Sequence, residues 1–164
     1  MNRNTVIVIA IILCGVFVLF MALSFFENEE DKVKRIIYAA KEATEKENII
    51  RCMSFISYAY ADQDGNNKAM LFGIAQQVFK SYDSILIDIK TAEVSLLDKT
   101  KAKAHLICFG QGRRSPHGGA GSPFVLDTQK VEFEIVFGKE YGRWRVLELR
   151  FIDPEDFLNL LKGL

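Results

Sequence analysis

From Thr5 to Phe26 no position carries a charge, and the side chains are almost wholly apolar: Val6-Ile7-Val8-Ile9-Ala10-Ile11-Ile12-Leu13, then Val16-Phe17-Val18-Leu19-Phe20-Met21. About 20 such residues at about 1.5 Å each, wound as a helix, cross the hydrocarbon core of a bilayer. Beyond this block the pattern becomes periodic. Asp31 to Thr44 repeats at helical spacing, with Val33, Ile36, Ile37 and Ala40 on one face and Lys32, Lys34, Arg35, Lys41 and Glu42 elsewhere. Glu45 to Asn48 is a polar break. A second helix follows, with Ile49, Ile50, Met53 and Ile56 as its apolar side. Tyr60 to Asn67 is rich in turn formers, and Asn66 or Asn67 is placed to cap a third helix running to Tyr82. The stripe of that helix is Leu71, Ile74, Ala75, Val78, Phe79 and Tyr82.

At Ile85 the period changes to two. Ile85 to Ile89 reads as a strand that Glu93 to Leu97 continues after a bulge near Lys90-Thr91. Asp98 to Thr100 turns the chain, and Lys101 to Phe109 is the next strand. Val131 to Phe137 is the third, Gly138 to Gly142 a hairpin turn, and Arg143 to Ile152 the fourth. Asp153-Pro154 opens a short last helix with Phe157, Leu160 and Leu161 on its apolar side. The stretch from Gly110 to Pro123 is a long glycine-rich loop, and loops of that length are commonly functional or disordered. Three helices followed by a run of antiparallel strands define an α+β domain with its helices on one face of the sheet.

Charge sets the topology. Arg3 and the free amine precede the apolar block and Glu27-Asn28-Glu29-Glu30-Asp31 follows it. By the positive-inside rule the tail 1–4 is cytoplasmic, 5–26 is a single-pass anchor in the cell inner membrane, and 27–164 is a periplasmic or otherwise extracytoplasmic domain. A cleaved signal peptide is the rival reading, with Ala22-Leu23-Ser24 offering small residues, but the block exceeds the about 7–15 residues of a signal core. Cys14 follows Leu13 rather than a small residue, which makes it a poor lipid-attachment site. The chain has 21 basic and 21 acidic residues and no basic stripe, which argues against nucleic acid as a partner. Cys52 and Cys108 lie in the domain without metal-ligand spacing, either as buried thiols or, in an oxidising compartment, as a pair.

The order helix, short helix, loop, helix and curled sheet resembles the nuclear-transport-factor-2-like, or SnoaL-like, superfamily, which has a cystatin-like fold. The features that carry the resemblance are Asn48-Ile49-Ile50 opening the second helix, Tyr60-Ala61-Asp62-Gln63-Asp64-Gly65 before the third, and Gly142-Arg143-Trp144 before the last strand. It extends over Asp31 to Phe151, and the loop is similar to that of a membrane-anchored bacterial branch. The resemblance implies a cone, a bent sheet around a helix with a pocket at its mouth. Its members include isomerases, dehydratases and scaffold modules, so the fold does not choose a function.

Candidate chemistry is sparse. Strand alternation collects Ile85, Ile87, Ile89, Ala104, Leu106, Cys108, Val131, Phe133, Ile135, Phe137, Leu147, Leu149 and Phe151 on a core face without a carboxylate. The opposite face takes Asp88, Lys101, Lys103, His105, Glu132, Glu134, Glu148 and Arg150, which makes His105 a surface residue. The only catalytic candidates are Asp62 and Asp64, whose simpler role is turn chemistry. Tyr60, Asp62 and Tyr82 are expected near the pocket mouth. Arg113, Arg114 and His117, among glycines, suit an anion or a partner. Ile107, Phe109, Val136 and Trp144, with Val146, form an expected apolar patch on the outer face, suited to a protein partner or a homodimer. No metal site or cofactor motif is present in the sequence. These features favour a tethered binding or scaffold module, with a small-molecule isomerase-like or dehydratase-like enzyme or a ligand carrier as the alternative.

Overall fold

The computed structural model describes residues 28–114 and 129–152. The expected span 5–26, His117 with the rest of 115–128, and the last helix from Asp153 lie outside these residues. No helix among the described residues is long and apolar enough to cross a membrane.

Helix α1 runs Glu29–Glu45, α2 Ile49–Ser54 and α3 Lys68–Ser81. Each starts on an asparagine whose side-chain oxygen accepts a backbone N–H of the first turn: Asn28 from Glu30, Asn48 from Arg51, and Asn67 from Ala69 and Met70. That acceptor satisfies donors that have no partner within the helix. Acidic Glu29, Glu30 and Asp31 complement the positive end of α1. Ile50, expected on the apolar side of α2, is instead 80% exposed, and α2 packs through Ile49, Cys52 and Met53, which are half-buried.

The strands are β1 Tyr82–Leu96, β2 Lys101–Arg114, β3 Gln129–Glu140 and β4 Arg143–Phe151. They form one antiparallel meander in the order β1-β2-β3-β4. β1 and β2 are longer than the alternation predicts. Tyr82 and Asp83 pair with Arg114 and Arg113, so both arginines belong to a strand and not to a loop. The β3–β4 turn is also tighter than expected. Glu140 pairs with Arg143, leaving Tyr141 and Gly142 as a two-residue turn at φ 49° and 77°. Two positive φ values fit the twist of a hairpin, and glycine takes one of them without strain.

Three register breaks, one of them between Asp83 and Leu86 of β1, decide which residues face the helices. In β1 the register passes from Ile89↔Cys108 to Thr91↔Ile107, so Lys90 is the extra residue. In β4 it passes from Val136↔Glu148 to Phe137↔Val146, so Leu147 is the extra residue. A bulge reverses the parity of everything beyond it. Trp144 and Val146, expected on the outer face, are therefore core residues at 4% and 8% exposure. Leu147 lies against Gly138, where an added Cβ would stand 2.5 Å from its Cδ1.

The core forms between α1 and the concave face of the sheet. Val33 and Ile37 of α1 join Ala102, Ala104, Leu106 and Cys108 of β2 and Phe137 of β3. Phe55 to Ala61 runs along the free edge of β4: Val146 donates to Phe55 O at 2.9 Å, Ser57 to Val146 O at 2.9 Å and Ala61 to Leu147 O at 3.1 Å. These bonds satisfy part of an edge that would otherwise be unpaired.

Candidate functional site

A cavity of about 310 Å³ opens where α1 and α3 diverge over the sheet. Thr44 comes from α1, Val78 from α3, Tyr82, Ile85 and Ile87 from β1, Cys108 to Gly112 in part from β2, Val131 and Phe133 from β3, and Leu149 and Phe151 from β4. Apart from Gln111, the strand residues are inward-facing positions, which is why the lining is largely apolar. Gly112 packs against Tyr82: an added Cβ would meet its ring at 3.4 Å, an ordinary van der Waals distance.

Polar groups at this cavity are few. Thr44 Oγ1 donates to Ala40 O at 2.9 Å and contacts Cys52 Sγ at 3.7 Å. Burial pushes the Cys108 thiol up to about 11, helped by the negative charge of Asp88, so it stays protonated and poorly nucleophilic near neutral pH. Burial also raises Cys52, against the Thr44 contact. Both are free thiols. No carboxylate or histidine appears among the described lining residues. Nearby Glu45 is engaged elsewhere: its Oε1 accepts from Lys41 at 2.7 Å and from the Ile87 N–H at 2.8 Å. Burial alone would raise its pKa, but these two donors outweigh it and lower it. Glu45 therefore acts as an acceptor for irregular backbone near the Asp83–Leu86 register break, and is poorly suited to be a base.

Of the three residues expected at the pocket mouth, Tyr82 lines the cavity and Tyr60 and Asp62 do not. Tyr60 is 2% exposed in the core cluster beside β4. Burial first, then the Asp62 charge, raise its phenol well above the usual tyrosine range. Its hydroxyl donates to Asp62 Oδ2 at 3.2 Å. Asp62 also accepts from the Asp64 and Asn66 backbone N–H groups at 3.0 and 2.8 Å, and from Asn66 Nδ2 at 3.0 Å. Four donors on one carboxylate organise the loop before α3. Asp64 is exposed beyond it. Among the described residues no group of acidic, histidine and cysteine side chains could hold a metal.

Arg113 is exposed on β2 and reaches Ser84 Oγ at 3.4 Å. His117 lies outside the described residues. The expected apolar patch loses Trp144 and Val146 to the core, leaving Ile107, Phe109 and Val136 half-buried on the outer face. Around them Lys103 pairs with Glu134 at 2.5 Å, His105 with Glu132 at 2.9 Å and Lys130 with Glu132 at 2.9 Å. Trp144 gains a different role. Its Nε1–H donates to Glu29 Oε2 at 2.7 Å, and Lys139 pairs with the same carboxylate at 3.0 Å. The start of α1 is thereby tied to the β3–β4 hairpin. No sequence signal marks this site, because its members are far apart in the chain.

No family model matches the sequence, and no curated protein matches it significantly. Solved structures do. A nuclear-transport-factor-2-like superfamily protein from Salmonella enterica superposes with a TM-score of 0.61 at 10% identity, covering 76% of this chain and 90% of that one. A ketosteroid isomerase-like protein from Erwinia carotovora atroseptica gives 0.58 at 15% identity, covering 79% and 100%. A protein with a cystatin-like fold from Caulobacter vibrioides gives 0.60 at 13% identity, covering 82% and 99%. The fold is therefore nuclear-transport-factor-2-like. Likeness at these identities defines the fold and leaves the activity open.

Proposed function

We propose that this chain is a membrane-tethered binding module whose cavity holds a small apolar molecule. The observation that carries this reading is the cavity of about 310 Å³ lined by aliphatic and aromatic side chains, where among the described lining residues only Thr44, Tyr82, Gln111 and the Cys108 thiol offer polar side-chain contacts. Its volume falls at the low end of the roughly 300–1,000 Å³ typical of small-molecule sites, which are mostly apolar with a few orienting polar groups. An isomerase or dehydratase would need a poised base facing the substrate. The ketosteroid isomerase-like neighbour shares the fold, but no described residue at this cavity offers such a carboxylate or histidine. The tether is residues 5–26, whose uncharged apolar run is long enough to span a bilayer.

The test is extraction of purified full-length protein and identification of retained small molecules by mass spectrometry. An equimolar apolar compound is expected with the native chain, and its loss is expected from a Val131→Phe variant that fills the cavity. A native chain that retains nothing, or a filled variant that retains the compound equally, refutes the proposal.

A further inference from the structure

Beside the β3–β4 turn, sharing no lining residue with the apolar cavity, the surface opens into a second cleft of about 410 Å³. Its polar lining is Tyr58, Lys68, Glu140, Tyr141, Arg143 and Arg145. Several cations of this domain are compensated among the described residues: Lys32 by Glu29, Lys41 by Glu45, Lys103 by Glu134, Arg150 by Glu148. Arg143 and Arg145 form no ion pair with any described carboxylate. The carboxylate of the cleft, Glu140, already accepts a hydrogen bond from the buried Ser57 Oγ at 2.5 Å.

Lys68 is held in place. Lys68 Nζ donates to Ile56 O at 2.7 Å and stands 4.1 Å from the centre of the Tyr58 ring. Burial lowers its pKa and the positive charge of Arg145 lowers it further, against Glu140. The two cations are therefore close enough to repel, and an anion between them would relieve that repulsion. Strand pairing places the two arginines at alternate positions on one face of β4, since Arg143 closes the two-residue turn by pairing with Glu140, and Arg145 pairs with Gly138. Guanidinium groups present paired donors that match the oxygens of phosphate.

We propose that this cleft binds a phosphate group through Arg143, Arg145 and Lys68. Three cations against one carboxylate leave two positive charges, which suits a phosphate better than a single carboxylate ligand. The group can belong to a soluble phosphate or to a lipid headgroup. The second source rests on the proposed tether at residues 5–26: Lys139 and Trp144 bind Glu29, so the hairpin stands at the end of α1 that follows those residues in the chain.

The experiment is calorimetric titration of the full-length chain in nonionic micelles at constant ionic strength. One arm adds inorganic phosphate. The other dopes the micelles with phosphatidylglycerol, with phosphatidylcholine as control. Saturable binding is expected in at least one arm, weakened about tenfold or more by Arg143→Gln with Arg145→Gln. Binding of inorganic phosphate assigns a soluble source, and binding of phosphatidylglycerol alone assigns a headgroup. Glu140→Gln keeps an acceptor for Ser57 and removes the opposing charge, so it is expected to tighten binding several-fold, a gain that misfolding does not produce. Lys103→Gln on the outer face is expected to change nothing. No binding in either arm, binding indifferent to the arginines, or equal loss in Lys103→Gln overturns the proposal.

Discussion

Replacing Trp144 with phenylalanine keeps most of the buried ring and deletes one donor, the indole N–H bonded to Glu29 at 2.7 Å. A hydrogen bond to a charged acceptor contributes about 1.5–3 kcal/mol. Glu29 is 30% exposed and retains Lys32 and Lys139, so water and two cations take up the freed oxygen. The loss should sit at the low end, about 1.5 kcal/mol at neutral pH. Lys32, Lys139 and Trp144 bring the Glu29 carboxyl down from 4.5 to about 2. Because the folded value lies below the unfolded one, this stabilisation is complete above the unfolded value and disappears as pH falls toward 2. Taken at face value the shift is worth roughly 3 kcal/mol, which solvent screening reduces to about 1 kcal/mol. The stability gap between wild type and Trp144→Phe should therefore shrink on acidification. Urea unfolding of the full chain in micelles, followed by circular dichroism at neutral and acid pH, measures the gap. Trp144 is the chain's only tryptophan, so its fluorescence reports its burial directly. The native emission should be blue-shifted and resistant to acrylamide. A solvent-like native emission, or an unfolding midpoint indifferent to Trp144→Phe at neutral pH, refutes the reasoning.

Two further outcomes follow from local structure. Asn67→Ala removes the oxygen that accepts from Ala69 and Met70 and should cost about 1 kcal/mol in the same unfolding assay, so an unchanged midpoint would exclude Asn67 as the cap. In a Cys14→Ser background, Cys52 is half-buried and Cys108 is buried with its thiol raised to about 11, so a thiol reagent should label Cys52 before Cys108. Equal labelling rates in the native state would contradict the described core.

Local chemistry made much of the fold legible. The three helices begin at asparagine caps and their apolar spacing is visible in the chain, and the break at Lys90 was readable because Ile85-Ile87-Ile89 and Ala92-Val94 repeat out of phase. The cavity was legible in part. Its walls are inward strand positions, whereas Tyr60 and Asp62 were misplaced at its mouth because the loop before α3 folds back on itself and along β4. The phosphate cleft left no trace in the pattern: Lys68 and Arg145 are 77 positions apart by their numbers, and only the path of Phe55 to Ala61 along β4 brings their elements together.

By itself the sequence determined what period and charge encode: an uncharged apolar run at 5–26, an α+β order of elements, and an inner face without carboxylates. Tertiary structure decided the phase of the last strand. Arg143 to Phe151 alternates plausibly in either register, and only pairing with β3 inserts Leu147 as an extra residue. That single residue moves Trp144 and Val146 from the outer surface to the core. The physical reason is that alternation has a period of two but no marker of its origin, so a bulge fixed by a neighbouring strand can reverse every assignment beyond it.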